Sequence, residues 1–207
     1  MNTNHELLNN NTVTLSGKVI SEPVLSHKVY DEAFNILQLA VPRLSGQVDI
    51  IPITISEKLL SEENVKQNDN LTIKGQFRSY NKLEDGKSRL ILTVFVRELI
   101  QTDAEQNPNT VEISGYICKE PIFRTTPFNR EIADILVAVN RSYNKSDYIP
   151  CIAWGRNARF VESLKVGTKI NIIGRIQSRE YTKVLDKNVD PVVKTAYELS
   201  ISKINMA

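Results

Sequence analysis

NTVTLSGKVISEP at residues 11–23 returns as NTVEISGYICKEP at residues 109–121. The offset is 98 (109 against 11), and it still holds at Ala40/Ala138, Val41/Val139, Arg43/Arg141, Ile51/Ile149 and Pro52/Pro150. After one extra residue it becomes 99 and pairs Lys66/Lys165, Gly75/Gly174 and Ser79/Ser178. A unit of roughly a hundred residues has the length of a domain and far exceeds a solenoid repeat. The chain therefore reads as two copies of one domain. The copies also differ, and the differences are more informative than the matches: Tyr143, Tyr148 and Trp154 of the second stand opposite Ser45, Ile50 and Ser56 of the first.

Each copy resolves into five runs of period-2 character. In the second these are VEISGYI, ADILVAVN, DYIPCIAW, KINIIGRIQSREY and AYELSISKI. In the first they are TVTLSGKVI, AFNILQLAVP, VDIIPITI, NLTIKGQF and RLILTVFV. A short helical stretch falls between the third and fourth runs: SEKLLSEENV in the first copy, NARFVESL in the second. Ala158, Val161 and Leu164 supply an apolar face, and Gly167 is a candidate C-cap. Five strands with one helix between the third and fourth is the order of a Greek-key barrel of the OB type, and closure removes otherwise long exposed edges. The expected class is all-β, with two tandem OB-fold barrels. The expected divisions are a disordered segment at 1–10, a first barrel at 11–101, a polar linker at 102–108 and a second barrel at 109–207. The stretches 80–89 and 184–194 read as polar, mobile hairpin loops.

Composition narrows the function. Hydrophobic residues are 41% and charged residues 24%, the proportions of a soluble globular protein. No apolar run approaches the ~20 residues of a membrane span, and the polar start MNTNHELLNNN does not read as a signal peptide. Cys118 and Cys151 lie in strand-like runs and read as free thiols, fitting a reducing cytoplasm. The net charge of +2 is unevenly divided: residues 1–108 hold 11 Lys+Arg against 14 Asp+Glu, and residues 109–207 hold 15 against 10. A polyanion favours the second half, because phosphate contacts from Lys and Arg release counterions.

Catalysis finds no foothold. His5 and His27 have no His, Cys or carboxylate partner at metal-ligand spacing, no phosphate-binding glycine loop is present, and carboxylates are scattered. Gly17, Gly75, Gly115 and Gly174 are single strand glycines that mark tight bends. No enzyme activity, cofactor or metal is expected.

A binding face is easier to assemble. Alternation in DYIPCIAW sends Ile149, Cys151 and Ala153 to one face, and Tyr148, Pro150, Ile152 and Trp154 to the other. Arg175, Gln177, Arg179 and Tyr181 share one face of the fourth strand. Arg141, Tyr143 and Lys145 stand at the end of the second. Aromatic rings interleaved with arginines suit stacking of exposed bases with cations along the backbone. Outward rings also suit an interface between domains or subunits, and pattern alone leaves both open. Phe123, Phe160 and Tyr197 read as packing residues.

The most specific pieces, VAVNRSY, CIAWGRNARFVESLKVG and GRIQSREY, resemble the DNA-binding domain of bacterial single-stranded DNA-binding proteins, and the likeness covers nearly all of 109–204. It implies an OB barrel that wraps single-stranded DNA. The family's stacking aromatics would fall on Tyr143, Tyr148, Trp154 and Tyr181. The candidate cations beside them are Arg141, Arg156, Arg175 and Arg179. The first copy keeps none of the four rings. Lys82 replaces Tyr181, and Tyr80 is its nearest candidate. The sequence ends ISKINMA after the last strand, so the Gly/Gln/Pro-rich tail with an acidic tip that typifies the family is not expected. The resemblance thus implies non-catalytic binding of single-stranded DNA in replication, recombination or repair by a cytoplasmic, nucleoid-associated protein. The second barrel would do most of the binding and the first would be a degenerate copy. A homodimer would restore four barrels, the first copy's uncharged Ile50, Pro52 and Thr54 serving a packed face. Alternatives are a replication or primosome accessory protein acting through protein contacts, and an RNA-binding OB protein.

Overall fold

The computed structural model describes residues 10–84, 86–100, 109–183 and 192–207. In the first repeat, strands β1 (Asn11–Val19), β2 (Val24–Val29), β3 (Glu32–Pro42) and β4 (Val48–Ser56) precede helix α1 (Glu57–Glu62), then β5 (Asn70–Glu84) and β6 (Lys87–Ile100). The second repeats the order as β7 (Asn109–Ile117), β8 (Ile122–Thr125), β9 (Glu131–Arg141), β10 (Lys145–Trp154), α2 (Arg156–Glu162), β11 (Lys169–Lys183) and β12 (Val192–Met206).

Both barrels close. In the first, β1 pairs with β3 and β5, β3 with β4, β5 with β6, and a short parallel contact Ile53↔Val94 joins β4 to β6. The second closes identically through Tyr116↔Ala138 and the parallel contact Cys151↔Leu199. Gly17 and Gly115 sit where β1 crosses β3 and β7 crosses β9. A Cβ at either would collide with the carbonyl oxygen of Ala40 or Ala138. Equivalent apolar residues fill the interiors, among them Leu15/Ile113, Leu39/Val137, Ile51/Ile149 and Phe77/Ile176. Phe123, Phe160 and Tyr197 pack against this core, as the sequence suggests.

Several expectations are corrected. Each repeat carries a sixth strand, β2 or β8, added outside the barrel on β3 or β9; its short, exposed residues carry no alternation that would reveal it. Residues 80–84 and 87–89 are strand, not loop. The ribbon is held by pairs such as Lys82↔Arg89 and by Glu84, which bridges to Lys82 and Arg89 and is held below the usual carboxylate range by Lys82 above all. Residues 192–194 are likewise strand. Helix α2 ends at Glu162 with Ser163 as its C-cap, so Gly167 is not its cap; the Gly167 N–H donates to the Ile117 carbonyl. Asn10 is tied to the second repeat, donating from Nδ2 to the Asn140 carbonyl (2.7 Å) and accepting from the Ser114 N–H (2.8 Å). The rest of the segment expected to be disordered, and the linker at 102–108, lie outside the described residues.

The barrels join along β1 and β7, which pair antiparallel with Val13 opposite Val111. Those two residues are equivalents at the 98 offset, so a pseudo-two-fold axis passes between them. The seam obeys it. Asn11 exchanges two side-chain hydrogen bonds with the Phe77 backbone, and Asn109 does the same with Ile176.

Candidate nucleic-acid interface

Two buried aspartates, Asp49 and Asp147, dock each barrel onto its neighbour. Asp147 accepts from the Ser79 N–H at 2.8 Å and pairs with Arg141 at 3.1 Å and Arg78 at 3.2 Å. Asp49 accepts from the Ser178 N–H at 2.7 Å and its hydroxyl at 3.1 Å, and pairs with Arg43 at 2.5 Å and Arg175 at 3.5 Å. Burial alone would raise the Asp49 carboxyl, but the Arg43 guanidinium and the Ser178 donors outweigh it and hold it below the usual range. The matches Arg43/Arg141 and Ser79/Ser178, visible in the sequence as bare identities, are thus parts of one clamp used twice.

This clamp claims two of the candidate cations. Arg141 and Arg175 are half-buried ion-pair partners of Asp147 and Asp49. Arg156 and Arg179 are exposed and carry no ion pair among the described residues.

The rings are outside, as alternation requires. Tyr148, Trp154, Tyr181 and Tyr80 are each 38–44% exposed, and Tyr143 is 93% exposed. Tyr143 rides a one-turn 3-10 segment, Ser142–Asn144, with φ +61. Directly after Trp154, Gly155 adopts φ +53, turning the chain from β10 into α2. Pro150 is half-buried on that outer face, but Ile152 is buried (6%), because β12 runs beside it at Ile152↔Ser200. Thr54 of the first repeat is likewise buried within its own barrel, its hydroxyl 2.9 Å from that of Thr93. Its lack of charge therefore needs no partner subunit to explain it.

The seam brings residues of both repeats together. The Tyr148 N–H donates to Ser79 Oγ at 2.6 Å, so Tyr80, the neighbour of Ser79, comes to the edge of the second barrel's aromatic strand. The first repeat also has rings that its sequence did not signal. His27 stacks on Phe34 (5.2 Å between centroids), Phe34 lies 5.5 Å from Phe95, and the Arg97 guanidinium sits 5.4 Å over Phe95. Phe34 pairs across from Ser56, the counterpart of Trp154, so a ring displaced onto the adjacent strand occupies that region. Only strand register reveals it, since the four residues come from three strands.

Residues 108–207 match the single-strand binding protein family. The second repeat belongs to that family. Single-stranded DNA-binding protein A of Bacillus subtilis (strain 168) is 35% identical over 80 residues, covering 35% of this chain and 46% of that protein. Single-stranded DNA-binding protein 1 of Staphylococcus aureus (strain COL) is 35% identical over 80 residues, covering 48% of its length. The chain spans about half the length of these curated relatives. The wild-type single-stranded DNA binding protein from Thermus aquaticus superposes with a TM-score of 0.72 at 17% identity, over 95% of this chain and 92% of that one. The tandem OB arrangement is therefore a fold that the single-strand binding protein of Thermus aquaticus shares across both repeats. The N-terminal domain of PriB from Thermoanaerobacter tencongensis is 46% identical over 44% of this chain and 94% of its own, with a TM-score of 0.39. Among the described residues no helix is long and apolar enough to cross a membrane, and no three His, Cys, Asp or Glu gather as a metal-binding group.

Proposed function

We propose that the chain binds single-stranded DNA without catalysing a reaction on it, and does so in the cytoplasm during replication, recombination or repair. The observation that carries this reading is the exposed set Tyr143, Tyr148, Trp154 and Tyr181 on a barrel whose sequence belongs to the single-strand binding protein family. Rings on an outer face stack with any base, while Arg156, Arg179 and, at the seam, Arg141 and Arg175 supply positive charge to the backbone. The second barrel is the main binding unit; the first is a degenerate copy that serves assembly and contributes Tyr80. A homodimer presents four barrels to one strand, with the two-fold symmetry commonest among homo-oligomers.

Trp154 is the chain's only tryptophan, so its fluorescence reports binding directly. Oligo(dT) should quench it, and RNA and duplex should quench it less. Tyr148→Ala, read by the same signal, and Trp154→Ala, read by anisotropy of a labelled oligonucleotide, should each lose ~1–3 kcal/mol of affinity with little loss of melting temperature. Unchanged affinity with a large stability loss would assign the rings to packing instead.

A further inference from the structure

The two sides of the pseudo-dyad differ in charge. Beside Asp147, a cleft of about 30 Å³ is lined by Asn10, Gln76, Arg78, Arg97, Asn140 and Arg141, together with Asn11, Val139 and Ser142. None of the nine lining residues is acidic. Asp147 lies behind them, wholly buried, and is the carboxylate that Arg78 and Arg141 share. Three guanidinium groups against one carboxylate leave a local charge of about +2. On the dyad-related side, strand register puts Arg175 and Gln177 where Gln76 and Arg78 stand, so each side keeps one arginine there, and puts Ser202 where Arg97 stands. There Asp49 pairs with two arginines among the described residues, Arg43 and Arg175, and Glu198 lies 2.6 Å from Gln177. The excess of arginine is therefore a property of one side alone, not something the clamp requires.

The geometry of this excess is that of a receptor. Among the described residues, Arg141 uses only Nη1 and Arg97 only Nη2 in hydrogen bonds, which leaves most of their fork donors unspent there. Burial, and then the neighbouring Arg141 charge, push the Arg78 guanidinium below its ordinary value, as expected where cations crowd without enough counter-charge. A cleft lined by one sign of charge concentrates its field on an incoming anion, and guanidinium forks match the oxygens of a phosphate. The volume admits roughly two waters, or the leading oxygens of one tetrahedral group.

We propose that this cleft between the barrels is a phosphate-binding site, taking one backbone phosphate of a strand that crosses from the first barrel to the second. The proposal of a strand as the source rests on the DNA-binding reading above; the phosphate chemistry does not. The cleft adjoins the first repeat's rings through Arg97, which lies over Phe95, and the second repeat's face through Arg141, two residues from Tyr143.

The test uses the full chain with Arg97→Gln and Asn140→Asp, both exposed positions that leave the Asp147 pairs in place. In the first arm, melting temperature is followed as inorganic phosphate replaces chloride at equal ionic strength. The wild type should gain stability and both variants should not. In the second arm, the salt dependence of oligo(dT) binding is measured; losing one phosphate contact makes the log–log slope shallower by about one. A phosphate effect with an unchanged slope would assign the site to a free anion and overturn the strand crossing. No phosphate effect and an unchanged slope would overturn the site altogether. If the wild type does not bind oligo(dT), the function proposed above fails, while the first arm still decides the cleft.

Discussion

Replacing Asp147 with asparagine removes the buried charge from the seam and nearly preserves its shape. The carboxylate is fully buried and receives three bonds, from the Ser79 N–H, Arg141 and Arg78. Asparagine retains one acceptor oxygen for these donors and leaves Arg78 and Arg141 facing each other without a counter-ion. Breaking a buried ion pair typically costs about 3–5 kcal/mol. Water reaches the two guanidinium groups in part, their side chains being 17% and 34% exposed, which places the expected loss near the lower end, about 3 kcal/mol. For a chain of this length that corresponds to a fall in melting temperature of roughly 6–12 °C. Asp49→Asn should cost a similar amount. The two together should cost less than their sum, because once one side of the seam has opened the other holds less. Thermal and urea melts of the three variants decide it. A loss below about 0.5 kcal/mol for Asp147→Asn, inside the range of neutral surface changes, would refute the idea that these aspartates clamp the barrels.

The Asp49 carboxyl, held below its ordinary value, contributes stability that is fully present above the unfolded Asp pKa of roughly 3.9 and is lost as pH falls through the folded one. The acid limb of a plot of melting temperature against pH should therefore be steeper in the wild type than in Asp49→Asn; parallel limbs would count against the assignment. Gly115→Ala forces a methyl against the Ala138 carbonyl and should lower stability by about 1–3 kcal/mol with the exposed rings intact. A melting temperature equal to the wild type would mean that the β7–β9 crossing has room to spare. Light scattering at micromolar concentration should give the mass of a homodimer, and a monomer with and without oligo(dT) would leave a two-barrel clamp in place of four-barrel wrapping.

Much of this was legible in the sequence because its signals are local or repeated. The 98-residue offset announces the duplication, and strand alternation places Tyr148 and Trp154 outside without any tertiary knowledge. The seam was not legible. Asp49 and Asp147 look like ordinary polar positions at the starts of strands, and their burial depends on a serine about 70 to 130 residues away. The ion pairs of Arg141 and Arg175 were hidden for the same reason, since strand position sets them beside the rings and only the tertiary fold brings Asp147 and Asp49 to them. The stack of His27, Phe34 and Phe95 was missed because nothing in one strand shows which ring lies across from it. Ile152 was placed outside because alternation cannot foresee a third strand running alongside.

The dyad between Val13 and Val111 is one that two separate, identical barrels would share, but here both sides are written into a single chain. In a pair of identical subunits every substitution appears twice, so a third arginine at one seam would be a third arginine at both, and its repulsion would be doubled. Fusion lifts that rule. Each side of the axis can drift alone, one settling into a neutral clasp and the other gathering charge, while a shared strand pair keeps the partners in fixed proportion and orientation. A fused pair can therefore give a bound strand a direction, entering at one kind of barrel and leaving at another, which a perfectly symmetric pair cannot do.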